Sequence, residues 1–226
     1  HSQHILPDLE IEDVEKLYAR VGIRGNDKWT PEFIVVWIQF HENKEKFFPL
    51  ALKSFKCNLS TDTSEGVLST NIPRIKEGKN DDPFDQILML MTTADKENAG
   101  TESPIELQIH NDKGYLLVDY EIPNTPQKEQ DRGQANIYFV PVEQSIRKND
   151  LMNGTIRLNI KGTDKWHPAS FFLFGYKPEE YLVPLVGEDV WPPIPWYGIW
   201  KNEKTKGWLS TSSSAGIPSY KWTKLL

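Results

Sequence analysis

The sequence of 226 residues contains a single cysteine, Cys57, and lacks several patterns that would mark a functional class. One cysteine excludes an internal disulfide and a zinc site built from several thiolates. No apolar run reaches the roughly 18 residues that a membrane-spanning helix needs. The first residue is His1 rather than a methionine, so we expect a processed or excised piece whose leader is not part of the sequence.

Catalytic signatures are also missing. The sequence has no Gly-x-Ser-x-Gly turn, no phosphate-binding P-loop, no His-Glu-x-x-His helix and no glycine-rich dinucleotide turn. Its five histidines show no metal-site spacing, and the carboxylate pairs at 81–82 and 179–180 lie in polar, loop-like sequence. We therefore expect a chain without catalysis of its own, and an enzyme or toxin remains open only as the rest of a longer polypeptide.

Clusters of basic residues are scarce too. The chain has 26 basic and 32 acidic residues, which gives a formal net charge of −6. Because phosphate backbones are bound by clustered lysine and arginine, no nucleic-acid partner is expected. A mildly acidic surface suits cation binding, but it more often serves only to keep a protein soluble.

The residues that are present favour short β-strands. Eight tryptophans support a packed core, while sixteen prolines and fourteen glycines interrupt any long helical pattern. Apolar or alternating segments that predict strands lie at 86–92, 105–109, 115–120, 136–142, 155–160 and 170–176. Turn residues separate these segments, which is typical of an antiparallel β-sandwich. Residues 143–153 predict a short helical turn.

A repeated segment divides the chain. Residues 23–31 read Ile-Arg-Gly-Asn-Asp-Lys-Trp-Thr-Pro, and residues 160–168 read Ile-Lys-Gly-Thr-Asp-Lys-Trp-His-Pro. A second repeat, Leu-Ser-Thr, occurs at 59–61 and at 209–211. The offsets are 137 and 150 residues, so the later copy holds an insertion between its two landmarks. We predict two related units in one chain.

The predicted units are unequal. Residues 80–226 hold a full set of strands and an aromatic-rich tail from 181 onward, whereas residues 1–79 match only the back half of that set. The first unit would leave open β-edges, which must be covered by the second unit, another chain or a segment before residue 1. Residues 71–85, which are polar and contain proline and glycine, predict a linker.

The repeated turn has two chemically distinct positions. Asp27 and Asp164 occupy equivalent places, where aspartate commonly accepts hydrogen bonds from its own backbone. Trp29 and Trp166 follow them, and we expect both rings to fill a core.

The second unit resembles a PLAT domain, the β-sandwich of polycystins, lipoxygenases and alpha-toxins. Residues 92–103 combine a strand end with the loop motif Ala-Gly-Thr-Glu, and an alternating strand follows. Residues 121–133 match the family's second loop, and residues 156–168 match its closing strand with the Asp, Trp and Pro that follow it. The resemblance covers residues 86–177, with a second, truncated copy at the N-terminus.

The resemblance implies an antiparallel, C2-like sandwich that in several family members binds membrane lipid with calcium. The positions that match the family's calcium loops are Gly100, Thr101, Glu102, Asn124, Asp131 and Asp164. Calcium takes about six to eight oxygen ligands, which carboxylates, carbonyls and waters on converging loops supply. The alternative role for Asp164 is the structural turn described above.

The aromatic tail has two interpretations. Trp191, Trp196, Tyr197 and Trp200 lie among prolines, which exclude a central strand. Exposed rings of this kind suit contact with a membrane or a partner. Alternatively, the rings form a cap that packs over the open side of the sandwich.

We therefore expect an all-β protein that acts as a binding module. It would dock a larger secreted or cell-surface protein to membrane lipid or to a protein partner, with calcium in its loops. Two alternatives remain open at this stage. One is a structural domain that assembles with another chain through open β-edges, and the other is a carbohydrate-binding module that uses Trp191, Trp196 and Trp200.

Overall fold

The computed structural model describes residue 13 and residues 16–39, 47–123, 130–192, 199–200, 203–222 and 225–226. Within these ranges the elements in chain order are β1 (Ala19–Gly22), β2 (Lys28–Trp29), β3 (Phe33–Gln39), β4 (Phe47–Ser54), β5 (Leu59–Ser60), β6 (Ser69–Ile72), β7 (Lys76–Glu77), β8 (Phe84–Thr93), β9 (Ile105–His110), β10 (Leu116–Ile122), β11 (Ala135–Ile146), α1 (Lys148–Leu151), β12 (Thr155–Ile160), β13 (Lys165–Trp166), β14 (Pro168–Lys177), β15 (Tyr181–Glu188), β16 (Leu209–Ser210) and β17 (Ser219–Trp222). The chain forms two compact units, His1–Glu77 and Gly78–Leu226.

The second unit is an antiparallel β-sandwich. One sheet has the strand order β10-β9-β12-β17, and the other contains β11-β8-β14-β15. Alternate side chains of both sheets meet in one core, in which the fully buried residues include Ile87, Met89, Leu107, Leu158 and Leu173. The predicted all-β antiparallel sandwich is confirmed, and the predicted helical turn is α1. No helix in the described ranges is long and apolar enough to cross a membrane.

The tail of the chain completes this sandwich. β15 pairs with β14, and β17 pairs with β12 at the edge of the other sheet. Leu182, Val183 and Leu185 of β15 are fully buried. The PLAT-like match to residues 86–177 therefore stops short of strands that the sandwich needs, because residues 181–188 show no alternation of polar and apolar residues.

The predicted linker at 71–85 contains the boundary between the two compact units, which follows Glu77, but it is not a linker over its whole length. This segment contains the end of β6, all of β7 and the start of β8. Phe84 is fully buried, and the ring lies where a Cβ on Gly175 would approach it to 2.3 Å. Polar composition misled the prediction because short edge strands carry many exposed polar residues.

The first unit has the strand pairings of the back half of the second. In the β1–β6 pair Ala19 lies opposite Ile72, and in the β12–β17 pair Ile156 lies opposite Trp222. The offsets between these pairs are the 137 and 150 residues of the sequence repeat. The short pairs β2–β5 and β13–β16 correspond in the same way.

A β-bulge recurs at the same place in both units. The β3–β4 register shifts between Val36 and Trp37, and the β14–β15 register shifts between Leu173 and Phe174, which is 137 residues later. In each unit a proline, Pro49 or Pro184, lies opposite the residue after the shift. Bulges interrupt ladder hydrogen bonds, so a residue without an N–H is tolerated there. β4 carries no signal that predicted it from the sequence, so this repeat was not expected.

The turn that carries the repeated aspartate is built alike in both units. The Oδ1 atoms of Asp27 and Asp164 each accept a hydrogen bond from the following lysine N–H at 2.8 Å. This confirms the predicted turn hydrogen bonds. The hydroxyl of Thr61 donates to the carbonyl of Gly25 at 2.8 Å, and that of Thr211 donates to the equivalent carbonyl at 2.6 Å.

The two repeated tryptophans have different surroundings. Trp166 is fully buried, and its indole N–H donates to the hydroxyl of Thr93 on β8 at 2.9 Å. Trp29 is 44% exposed. The prediction that both rings fill a core is confirmed for Trp166 and wrong for Trp29. Thr93 lies on β8, and no strand in the described part of the first unit takes the corresponding place beside β3.

Candidate functional site

An open groove lies at one end of the second unit's sandwich, where three loops meet. It has a volume of about 470 Å³ and is lined by residues 98–102, 131, 132, 134 and 164. These loops follow β8, precede β11 and follow β12, so the antiparallel sheets bring them to the same end. Among the residues that the sequence assigned to calcium, those that line the groove are Gly100, Thr101, Glu102, Asp131 and Asp164. Asn124 lies outside the described residues.

Close contact between two of the loops depends on Gly100. A Cβ at this position would lie 2.9 Å from the carbonyl oxygen of Gln130 and 3.1 Å from Cα of Asp131. The N–H of Thr101 donates to the same Gln130 carbonyl at 3.3 Å. Glycine therefore allows the loop after β8 to lie directly against the loop before β11.

Asp164 ties the third loop to the first. Its Oδ2 accepts hydrogen bonds from the hydroxyl of Thr101 and the N–H of Glu102, both at 3.2 Å. Its own N–H donates to the hydroxyl of Ser103 at 3.0 Å. Hydrogen bonds to a carboxylate are stronger than neutral ones, so this aspartate holds the groove in shape whether or not a cation binds.

The groove is acidic, and its carboxylate oxygens are potential metal ligands. Glu102, Asp131 and Asp164 contribute three exposed carboxylates. The one described guanidinium on the groove, Arg132, pairs with Asp95 at 2.6 Å. In residue type this set fits calcium, which prefers oxygen ligands. Across the described ranges, however, no three acidic, histidine or cysteine side chains are grouped closely enough to hold a metal ion.

Two lysines that are close in sequence to groove residues were not singled out from the sequence. The Nζ atoms of Lys96 and Lys165 lie 5.1 and 4.0 Å from the ring centre of Trp208. The ring of His167 meets the same indole edge-on at 4.9 Å. Burial lowers the pKa of His167, so the imidazole adds no charge near neutral pH. In the sequence, the only hint of this lysine pair was that Lys165 belongs to the repeated turn.

Two of the tail tryptophans are buried. Trp191 is 7% exposed and Trp200 is 3% exposed. Their indole N–H groups donate to the carbonyls of Gly207 and Trp208 at 2.8 and 2.9 Å, and Trp191 packs on Tyr220 with ring centres 5.0 Å apart. These rings form the packed cap that the sequence left open as an alternative, so they are not available for surface contact in this conformation.

Each of these buried rings directly follows an exposed apolar residue in the chain. The β4 and β15 strands are offset by 135 residues, whereas β5 and β16 are offset by 150, so the insertion falls between β15 and β16. Val190 and Ile199 of this segment are 62% and 40% exposed. Trp196 and Tyr197 lie outside the described residues. The backbone N–H of Trp191 donates to the carbonyl of Ala169. This bond holds the start of the segment at the first residues of β14, the end of that strand near the groove.

A carboxyl group lies beside the aromatic cap and was not predicted. Oε1 of Glu188 accepts a hydrogen bond from the indole N–H of Trp222 at 3.0 Å. Burial raises the pKa of Glu188 to about 7, with Asp189 adding to the rise and the Trp222 bond opposing it. Burial, with the charge of Glu188, also raises the pKa of Tyr220 to about 12.

Comparison with known proteins gives limited likeness. No protein-family model matches the sequence, and no curated protein matches it. Among solved structures, the chain is similar to the alpha toxin from Clostridium absonum, with 17% identity and a TM-score of 0.43 over 64% of this chain and 32% of that one. It is also similar to a Clostridium perfringens alpha-toxin isolated from avian strain SWCP, with 17% identity and a TM-score of 0.45 over 66% of this chain and 34% of that one. The matched part spans about a third of each toxin.

Proposed function

We propose that this chain is a non-catalytic PLAT-type module that docks a larger secreted or cell-surface protein to membrane lipid, with calcium in the groove. The observation that supports the proposal is the meeting of three loops, which the sequence assigned separately, at one groove. Loop clusters at the end of a β-sandwich are common binding sites on this fold. The repeated registers also support an origin of the first unit as a partial copy of the second.

Calcium would be held by Glu102, Asp131 and Asp164, with backbone carbonyls and the loop that contains Asn124. The bound ion would supply positive charge that neutralises the carboxylates and attracts anionic lipid headgroups. Asp164 already positions Thr101 and Glu102 through its Oδ2 atom, so the protein fixes the first loop before any ion arrives.

Lipid contact would involve charge and apolar surface at the same end of the sandwich. Lys96 and Lys165 are close in sequence to groove residues, and their ammonium groups, both over the ring of Trp208, would suit anionic headgroups. Val190 and Ile199 expose apolar side chains on either side of the segment that contains Trp196 and Tyr197. Trp and Tyr favour the membrane interface, so shallow insertion is expected from this segment rather than from the buried Trp191 and Trp200.

Calcium titration by calorimetry and vesicle pelleting test this function. The unmodified chain should bind calcium and pellet with vesicles that contain phosphatidylserine in the presence of calcium, but not with a chelator. Asp164→Asn keeps the side-chain size and removes its charge, so it should reduce calcium affinity about tenfold or more. Asp27→Asn is the matched control. Asp27 accepts the same turn hydrogen bond, but it does not line the groove that contains Glu102, Asp131 and Asp164.

The outcomes separate the parts of the proposal. Absence of binding heat in the unmodified chain would contradict calcium binding. Pelleting that does not depend on calcium would support lipid binding without a role for calcium. Absence of pelleting under both conditions would remove the membrane role. The carbohydrate hypothesis has less support, because two of its three tryptophans are buried.

A further inference from the structure

The central strands of the second unit have neighbours on both edges. β12 lies between β17 and β9, and β14 lies between β15 and β8. In the first unit the corresponding strands, β1 and β3, pair only with β6 and β4 among the described residues. The edges without a described partner are therefore the places that β9 and β8 occupy in the second unit. Such edges present backbone donors and acceptors to an added strand.

Among the described residues, the turn of the first unit has no counterpart of the contacts that the 99–104 segment makes in the second. There, His167 N–H donates to the Ala99 carbonyl at 2.9 Å, and Lys161 N–H donates to the Pro104 carbonyl at 2.8 Å. Asp164 adds its bonds to residues 101–103. At Asp27, the equivalent position, the described bond is the one to its own turn.

A pair of glycines shows the same difference in space. Gly162 and Gly25 both have positive φ angles, +88° and +95°. A Cβ on Gly162 would lie 2.8 Å from the hydroxyl of Ser103, which covers this face of the turn. A Cβ on Gly25 would meet no described atom within 4 Å. The backbone of the turn is thus preserved, while the surface that Ser103 covers in the second unit is open in the first.

Apolar side chains beneath the open edges are only partly buried. Ile34 and Val36 of β3 are half-buried, whereas their equivalents Phe171 and Leu173 are fully buried. One cluster of buried apolar residues in the described part of the first unit consists of Leu50, Ala51 and Ile72, with partly buried apolar residues packed around it. Trp29, at 44% exposure, belongs to the same uncovered region as the turn.

We propose that the first unit is a docking site for an antiparallel strand pair with the pattern of β8 and β9. One donated strand would pair with β3 and cover Trp29, and the other would pair with β1. The loop between them would carry the small-Gly-Thr-acid motif, whose hydroxyl and N–H would bind the carboxylate of Asp27. The donor would be a separate segment with this strand pattern, since β8 and β9 of the second unit are already paired within their own sandwich.

A second copy of this chain is a poor donor for energetic reasons. Its own β8 lies between β11 and β14 and fully buries Ile87, Leu88 and Met89. Exchange of that strand would expose this buried apolar surface in the second unit, which costs free energy that the new contacts would have to offset. A separate strand pair avoids this cost.

Hydrogen exchange of the full chain, with and without a carrier-fused segment Phe84–His110 of the same sequence, tests the proposal. Alone, the backbone amides of β1 and β3 should exchange at least about tenfold faster than those of β12 and β14, since uncovered edges open locally. Addition of the segment should slow exchange in β1 and β3 by a similar factor and shift the emission of Trp29 to the blue. The Trp29 signal is isolated as the difference from Trp29→Phe.

Matched variants identify the contact. Asp27→Ala should weaken segment binding about tenfold, the loss expected for hydrogen bonds to a charged group. Asp62→Ala is the control, because that carboxylate bonds within its own turn to the N–H and hydroxyl of Ser64. A Thr101→Val segment should also bind more weakly, and combining it with Asp27→Ala should add less than the sum of the single losses.

Several results would overturn the proposal. Strong protection of β1 and β3 in the chain alone would show edges that are already covered. The assigned site would be wrong if the added segment did not slow amide exchange in β1 and β3. It would also be wrong if Asp27→Ala and Asp62→Ala lowered the affinity for the segment equally. Concentration-dependent dimers that protect the same amides without the segment would show that a second copy is the occupant.

Discussion

The two units share a turn and differ in what surrounds it. Around Gly25 and Gly162 the strand registers, the positive φ angles and the threonine-to-carbonyl bonds agree closely. Around Trp29 and Trp166 burial differs, with exposures of 44% and 0%. The turn is therefore specified by residues within the back half of each unit. Burial of the tryptophan needs β8 and the loop that follows it.

The aromatic cap is a second difference between the units. In the second unit Tyr220 and Trp222 pack against Trp191 of the insertion. Their equivalents in the first unit are Thr70 and Ile72. By strand register, the connection from β4 to β5 is 15 residues shorter than the connection from β15 to β16. The insertion and its aromatic partners thus occur together, which is the pattern expected of a cap that contributes to one core only.

The largest expected effect comes from removing the repeated tryptophans. Trp166→Ala should lower the free energy of unfolding of the second unit by about 3–5 kcal/mol, because it empties a packed core position and leaves Thr93 without its indole partner. Trp29→Ala should cost the first unit about 1 kcal/mol or less, since the ring is 44% exposed. Denaturant unfolding with amide exchange resolved by unit measures both.

Equal losses for the two substitutions would contradict the difference in burial. Trp166→Phe and Trp29→Phe are the accompanying controls, because they retain an aromatic ring and remove the indole N–H. A larger effect of Trp166→Phe than of Trp29→Phe is expected from the lost bond to Thr93.

Much of this fold could be predicted from the sequence, because its signals are local. The alternating strand at 105–109 and the turn bonds of Asp27 and Asp164 depend on neighbouring residues and were predicted correctly. β15 was missed because both of its faces are largely buried, so it lacks a polar and apolar alternation. β7 and the start of β8 were missed because a polar edge resembles a linker.

The geometry of the groove could not be predicted from the sequence. Five of its lining residues, Gly100, Thr101, Glu102, Asp131 and Asp164, had been assigned by motif, yet the contact of Gly100 with Gln130 joins loops that lie about 30 residues apart in the chain. The exposure of Trp29 and the burial of Trp191 could not be read from the sequence. Both depend on whether a distant strand or cap covers the position, which no local pattern encodes.

A smaller effect is expected from Glu188, whose equivalent in the first unit is Lys53. Lys53 donates to the hydroxyl of Thr70 at 2.7 Å, whereas Glu188 accepts from Trp222 beside the cap. Burial raises the pKa of Glu188 from 4.5 to about 7. Between pH 4.5 and about 7, Glu188 is therefore protonated in the folded state but ionised in the unfolded state. The free energy of unfolding should fall as the pH rises through this range.

The Glu188→Gln variant measures this contribution. After allowance for partial exposure, the second unit should lose about 2 kcal/mol across that range relative to Glu188→Gln. Tryptophan fluorescence in denaturant is a suitable measurement, because six of the eight tryptophans lie in the second unit. Lys53→Met, at the equivalent position, should leave the slope between these pH values unchanged. Parallel pH profiles of the unmodified chain and Glu188→Gln would contradict a raised pKa.

The smallest effect should be equal in the two units, and it tests the shared turn directly. Thr61→Val and Thr211→Val each remove one hydroxyl that donates to a glycine carbonyl, at 2.8 and 2.6 Å. Both threonines are exposed, so each loss should be about 0.5–1 kcal/mol in its own unit. Thr61→Ser and Thr211→Ser should retain most of the stability. A loss confined to Thr211→Val would show that the turn of the first unit depends on the strands that cover it, contrary to its matching geometry.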